Sequence, residues 1–407
     1  MSSEIQTNQG KNFKSLPSGV WALGFVSMFM DTSSELVHSL LPSFMTTTLG
    51  ASMVTIGLVE GIAEATAAIT KIFSGALSDY WGKRKSLVIA GYGLAAFTKP
   101  IFPLSSSMAS VFTARFIDRI GKGIRGAPRD ALIADITNEG QRGTAYGLRQ
   151  SLDTVGAFAG PLLALALLTW FMGNIRLVLW ASVIPAFASV ILLAVAVREP
   201  SAPRSLRAQS RSRFSVREVK ALGRPFWIVV FIGGVLTLAR FSEAFLLLRA
   251  QDVGLSIAQV PVTLVIMNAV YAVSSYPAGV AADRIDRRVL LGLGVGVLIV
   301  ADLLLASASS ILPVLLGVAA WGLHMGLTQG LLATWIAEVA PHNLRGTAFG
   351  TFNLVTGGFL LLASVIAGYL WSLFGAHATF MAGAIFSGIT LFALIVFQRS
   401  RAILPSW

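Results

Sequence analysis

Charged residues set in otherwise apolar stretches are the places where this sequence could do chemistry. In 26-VSMFMDTSSELVHSLL-41, Asp31, Glu35 and His38 stand at i, i+4 and i+7, which on a helix puts them on one face. Glu60, Glu64 and Lys71, at i, i+4 and i+11, likewise share one face in a second stretch, and Arg115, Asp118, Arg119 and Lys122 form a polar stripe in a third. Arg240 with Glu243, and then Asp302 and His324, complete the set. Two carboxylates one turn apart and sheltered from water can load and release a proton near neutral pH, and an arginine that approaches them favours release. The same acids suit a cationic group and the arginines an anionic one. A structural alternative is that the charges are buried ion pairs fixing helix register, Asp118 with a neighbouring arginine or Arg240 with Glu243. His38 and His324 could titrate close by or simply be hydrogen-bonded.

The elements that must carry these residues follow from composition. With 407 residues, 55% hydrophobic, 12% charged and a mean hydropathy of +0.74, the chain has more apolar surface than a soluble core of its length could bury. It reads as an integral membrane protein. Apolar runs broken by turn residues and charges predict helices of spanning length at 19–42, 53–78, 86–106, 108–133, 143–171 and 174–197. Six more fall at 225–249, 256–281, 288–309, 311–337, 346–371 and 375–397. The expected fold class is therefore all-α integral membrane, with 12 transmembrane helices in two six-helix halves. The expected divisions are an N-terminal tail 1–18, a half 19–197, a basic linker 198–224, a half 225–397 and a C-terminal tail 398–407. A charge at a helix centre costs about 2.5–3.5 kcal/mol against lipid, so the charged residues above must face protein or water.

The net charge of +12 could suggest nucleic acid, but the cations sit in loops, which topology explains better. Lys83, Arg84, Lys85, Arg129, Arg142, Arg284, Arg287, Arg288 and Arg345 mark one side, with Lys11, Lys14, Arg399 and Arg401 at the termini. Loops such as SFMTTTLG on the other side carry almost none, Arg176 and Arg249 excepted. Lys and Arg are retained in short cytoplasmic loops, so both termini are expected in the cytoplasm and the chain in a plasma or inner membrane. The first segment lacks an A-x-A-like cleavage site and is expected to stay as an uncleaved span. The connection Arg198 to Pro225 holds eight cations and two anions, suiting a solvated linker against anionic lipid. Its part around Phe214, Val219 and Leu222 is expected to form a short interfacial helix.

The sequence also repeats itself. The stretch 75-GALSDYWGKRKS-86 resembles 279-GVAADRIDRRVL-290, and 142-RGTAYG-147 recurs as 345-RGTAFG-350 at nearly the same offset. Two pairs in step imply two halves in parallel relation with a binding site between them near the bilayer midplane. Here the chain resembles the major facilitator superfamily over nearly its full length. The resemblance rests on Gly75-x-Leu77-Ser78-Asp79-x-x-Gly82-Lys83-Arg84, similar to that superfamily's signature loop, and on a weaker second copy from Gly279 to Arg288 that includes Asp283 and Arg287. It rests also on 115-RFIDRIGKG-123, similar to the arginine-led motif of proton-coupled members. In 156-GAFAGP-161, Gly156, Gly160 and Pro161 are similar to the motif of drug/proton antiporters. Two positions depart from the pattern. Tyr80 replaces the usual basic residue, which Arg284 keeps, and Arg119 stands where the motif has its first glycine.

The resemblance implies that spans 1, 4, 7 and 10 line a central cavity, making Asp31, Glu35, Arg115, Arg240 and Glu243 the expected substrate and proton residues. His38, Glu60, Glu64, Asp118, Arg119 and His324 are further candidates. Span 2 would pack between the halves, where Glu60 and Glu64 could pair with span 11 or a loop. Asp79 would sit at the positive end of a helix of the other half, and Lys83 and Arg84 would pair with acids near spans 4 and 5 when the cytoplasmic side is closed. Gly156 and Gly160 would let helices approach closely.

No phosphate-binding G-x-x-x-x-G-K-[ST], zinc H-E-x-x-H or nucleophile G-x-S-x-G occurs, and there is no cysteine. No enzyme, cofactor or resident metal is expected. The expected function is a proton-coupled exporter of small organic molecules by alternating access, acting as a monomer with a small-molecule substrate, protons and the lipid bilayer as partners and no nucleic acid. One alternative keeps the fold and exports a divalent metal through Asp31, Glu35, His38, Glu60 and Glu64. Another is a receptor or scaffold without flux. A sugar or nucleoside carrier is disfavoured because Asn268, Asn353, Gln150, Gln329, Trp321 and Trp335 are scattered.

Overall fold

Apolar runs punctuated by glycine, proline and charge become helices throughout the computed structural model, which describes residues 16–81, 83–199, 216–282, 284–328, 330–341 and 344–399. The first half comprises α1 (Ser18–Thr47), α2 (Met53–Trp81), α3 (Arg84–Thr98), α4 (Ile101–Leu104), α5 (Met108–Ile136), α6 (Arg142–Trp170), α7 (Ile175–Ala181) and α8 (Val183–Ala196). The short α9 (Val216–Ala221) precedes the second half: α10 (Arg224–Ala239), α11 (Ala244–Asp252), α12 (Val262–Ala282), α13 (Arg287–Ser307), α14 (Ile311–Thr328), α15 (Leu331–Val339), α16 (Arg345–Phe374) and α17 (Ala376–Arg399). Ten helical rods among the described residues are long and apolar enough to cross a membrane. Two more, α1 with 30 residues and α5 with 29, are as long but carry the charged stripes. The chain is a multi-pass membrane protein.

Four helices expected to be continuous are broken, three of them with a local cause. Pro100 has no N–H to donate and separates α3 from α4, and Pro185 sits in the first turn of α8, where the missing donor is tolerated. Gly330, at φ 88°, adopts the left-handed conformation that glycine alone takes at little cost, and α15 restarts after it. The fourth break, at Arg240–Glu243, contains neither glycine nor proline. It is held by hydrogen bonds instead: the Ser242 N–H donates to Ser364 Oγ of α16 at 3.2 Å, and Ser242 Oγ accepts from the Ala244 N–H at 3.3 Å, at the first residue of α11.

The two halves repeat one packing scheme. α1 lies on α6, α3 on α5 and α8, and α2 on α5; correspondingly α10 lies on α16, α13 on α14 and α17, and α12 on α14. The halves meet along α2 with α16 and α6 with α12. Helices in lipid gain little from hydrophobic burial against one another and associate through small residues. A Cβ on Gly61 would stand 3.0 Å from the Leu361 carbonyl oxygen across the α2–α16 crossing. A Cβ on Gly156 would stand 2.5 Å from the Met28 oxygen, and on Gly160 2.7 Å from Thr32 oxygen, so α6 runs directly against α1, with Pro161 buried alongside.

The repeated signature loops tie each half internally. Arg84, at the start of α3, pairs with Asp135 at the end of α5 and donates Nη1 to the Ala131 carbonyl at 2.8 Å. Arg287, at the start of α13, pairs with Glu338 in α15, the equivalent joint of the second half. Lys83 immediately precedes α3, and Gly75 faces Ala127 of α5. Gly82, Asp283 and the side chain of Asp79 lie outside the described residues, as do Phe214, Gln329 and the linker from 200 to 215. The linker's last part holds the helix α9, where Glu218 Oε2 accepts from Thr347 Oγ at 2.7 Å, and Leu222, just after it, is buried.

Candidate functional site

A cavity of about 420 Å³ lies between the halves. Glu35 and His38 of α1, Glu64 of α2 and Arg119 and Lys122 of α5 line one wall; Arg240, Phe241, Ser242 and Glu243 from the broken helix, Trp321 of α14 and Asn353 and Thr356 of α16 line the other. Both walls follow from the packing described above. The glycines of α6 let α1 turn its acidic face inward, and the break after α10 exposes four consecutive residues that a continuous helix would distribute around its circumference.

Beneath the first wall lies a network of buried charge. Arg115, 1% exposed, donates Nη2 to Glu60 Oε2 at 2.6 Å and to His38 Nδ1 at 3.0 Å. Because a guanidinium only donates, Nδ1 is the acceptor and the hydrogen of a neutral His38 sits on Nε2. That nitrogen faces Glu243 Oε2 at 3.7 Å, so the relay Glu60–Arg115–His38–Glu243 crosses from one half to the other. Glu64 pairs with Arg119 at 3.2 Å and stands 4.0 Å from Arg115. Asp118 is bound by Lys99 Nζ at 2.9 Å, and Lys99 also reaches Ser34 Oγ at 3.1 Å. Nearer the basic loops, a second network joins Asp31 to Arg125 at 3.8 Å and Arg129 to Ser27, Asp130 and Asp153, with Arg149 on Asp153 at 3.0 Å.

Of the residues the sequence singles out, the structure brings Glu35, His38, Glu64, Arg119, Arg240 and Glu243 to the cavity wall. Arg115 and Glu60 lie directly behind it, Asp118 lies deeper on Lys99, and Asp31 stands a turn away on Arg125. His324 is buried in α14, with its Nδ1 2.8 Å from the Gly294 carbonyl oxygen, and is not part of the lining. Arg240 and Glu243 form no ion pair with each other; the break turns Glu243 toward His38. Among the described residues no group of three or more His, Asp or Glu side chains converges as a metal site, because Glu60 and Glu64 are occupied by arginines. Lys99 escapes a reading of the sequence because it stands beside the proline that ends α3; its signal is a lone lysine within an apolar run. Phe241 and Ser242 carry no sequence signal apart from the helix break.

The polar contacts between halves gather on the side away from the basic loops. Ser43 Oγ donates to Gln251 Oε1 at 3.1 Å, Asn268 Nδ2 donates to the Ala157 carbonyl at 3.1 Å, and His38 meets Glu243. At the other end of the cavity, Lys122 is exposed. The cavity is therefore closed away from the basic loops and open toward them.

Comparison with known proteins agrees with this architecture. The family model of the Major Facilitator Superfamily matches residues 21–248 and 241–405. The chain is similar to an uncharacterized MFS-type transporter of Methanocaldococcus jannaschii, 32% identical over 397 residues, covering 95% of this chain and 97% of the relative. It is also similar to the inner membrane transport protein YajR of Escherichia coli, 25% identical, covering 91% of this chain and 81% of that one. Among solved structures, a bacterial homolog of the human lysosomal transporter Spinster, in an inward-facing and occupied conformation, matches with a TM-score of 0.75 and 16% identity over 93% of this chain and 96% of that chain.

Proposed function

The chain belongs to the major facilitator superfamily of membrane transporters, and from that premise we propose that it is a proton-coupled exporter of small organic molecules that works by rocking its two halves. The observation that carries the reading is the cavity with a wall from each half, where Glu35 stands beside the His38–Glu243 contact that joins them. A proton taken by Glu35 or by the His38–Glu243 pair alters the charge that holds the halves together, so loading and opening are coupled. Asp31, a turn nearer the basic loops on Arg125, receives the proton on its way to the cytoplasm. Arg115 fixes His38 in the tautomer that faces Glu243. The basic loops and both termini are cytoplasmic, all twelve rods span the cell or inner membrane, and the protein acts as a monomer.

Reconstitution into proteoliposomes tests this. Counterflow of organic cations, anions and neutral compounds is measured with and without a pH gradient. The expected outcome is flux that the gradient accelerates, and loss of that acceleration in Asp31→Asn and Glu35→Gln. Flux indifferent to the gradient would sink the coupling, and normal coupling in both variants would sink these residue roles. A receptor or scaffold would give no counterflow of any compound.

A further inference from the structure

We propose that the cavity selects a small zwitterion with an apolar or aromatic body, its ammonium group on Glu35 and its carboxylate on Arg240. This rests on the transport reading for its consequence but not for its chemistry. The charges of the lining do not cancel locally. Glu64 is held by Arg119 at 3.2 Å, and Glu243 is faced by His38 at 3.7 Å. Lys122 stands exposed at the mouth. Glu35 and Arg240 are the acid and the guanidinium of the lining that have no ion pair or side-chain hydrogen bond among the described residues; the field of Glu243 reaches Arg240, and those of His38 and Lys122 reach Glu35.

They are on opposite walls, Glu35 on α1 of one half and Arg240 at the break of the other. Charge withdrawn from water without a partner is costly, and a ligand with the complementary charge removes that cost at both ends. A purely anionic ligand would leave the Glu35 carboxylate facing it, and a purely cationic one would leave the arginine. The planar guanidinium suits a carboxylate through two parallel hydrogen bonds.

On the wall that carries Arg240 the surface is aromatic. Phe241 and Trp321 line the cavity with ring centroids 5.6 Å apart, and Phe241 is backed by Phe245 and Phe380 at 5.7 and 5.5 Å. Such a wall is rigid and offers a flat apolar seat for a side chain. The volume of about 420 Å³ is in the range of small-molecule sites. A ligand ammonium and a proton would also compete for one carboxylate at Glu35, which is the exchange an antiporter requires.

The test is equilibrium binding by calorimetry to the full-length protein in lipid nanodiscs. The probes are L-phenylalanine, its amide, its N-acetyl derivative and the N-acetyl amide, with the same series for L-leucine and for alanyl-phenylalanine. In at least one series the zwitterion is expected to bind roughly tenfold or more tighter than either singly charged form, the scale of one charge-assisted hydrogen bond. Glu35→Gln should remove the advantage of the zwitterion over its N-acetyl form, by weakening the zwitterion and leaving the N-acetyl form as tight or tighter. Arg240→Gln should reduce it to the level of the amide, with Arg240→Lys recovering part of the loss. If in every series a singly charged or neutral form binds as tightly, or no form binds, or both substitutions weaken all forms equally, the assignment is wrong. The series on the unaltered chain decides this even where a substitution fails to fold. Zwitterion binding without counterflow would leave the assignment standing and remove the transport reading; proton-coupled flux of a singly charged compound would do the reverse.

Discussion

Arg115 is the charge this structure can least leave alone. It is 1% exposed, and Glu60 is the acid that neutralises it at 2.6 Å. Breaking a buried pair by removing one partner costs about 3–5 kcal/mol, because the other charge is stranded. Glu60→Gln is therefore expected to lower the thermal unfolding temperature of the purified protein markedly. Glu64→Gln should lower it far less, the loss of stability being about 1 kcal/mol or below, since that side chain is 30% exposed and Arg119 keeps Asp118 at 3.9 Å. Equal losses in the two variants would show that Arg115 has another counter-charge. At this scale the sequence was legible in part. That Glu35, Glu60, Arg115 and Arg240 must face protein follows from the cost of lipid exposure alone. Their partners do not follow, since Arg240 and Glu243 are neighbours along the chain, yet a break between two helices separates them and gives Glu243 to a histidine two hundred residues earlier in the chain.

Helix contacts explain why glycines that look alike in the sequence are not equivalent. On α6, a Cβ at Gly156 would press on the Met28 carbonyl of α1 at 2.5 Å, whereas one at Gly147 would meet nothing within 4 Å. Gly156→Ala is expected to push α1 and α6 apart and lower both thermal stability and cavity integrity. Gly147→Ala should be neutral or stabilising by up to about 1 kcal/mol, the difference in helix propensity. Thermal unfolding of the two variants side by side checks this, and a stable Gly156→Ala would mean that the helices slide past each other without loss. The rods themselves and the duplicated order were legible because hydropathy and the repeated RGTA(Y/F)G stretches report them directly. Breaks at Pro100, Pro185 and Gly330 carry a residue-level cause. The break at Arg240–Glu243 does not, because it depends on Ser364 from a helix more than a hundred residues later in the chain.

For the molecule as a whole, the contacts between halves fix which face is closed. The chain has no cysteine, so a pair introduced at Ser43 and Gln251 would report on a clean background. A short bifunctional thiol reagent is expected to join Ser43→Cys to Gln251→Cys and stop counterflow, with a cleavable reagent restoring it. Lys122→Cys should react with a membrane-impermeant thiol reagent faster from the side of the basic loops. Reaction confined to the other side would place the opening at the wrong end. The broken helix adds a consequence for timing. Arg240 and Glu243 flank its bend, so a molecule that grips Arg240 and reaches Glu35 on the opposite wall acts as a splint between the two halves. Dwell time in the cavity should then track the stiffness of the cargo as well as its affinity: of two compounds with the same charges and equal binding strength, the more rigid one is released later.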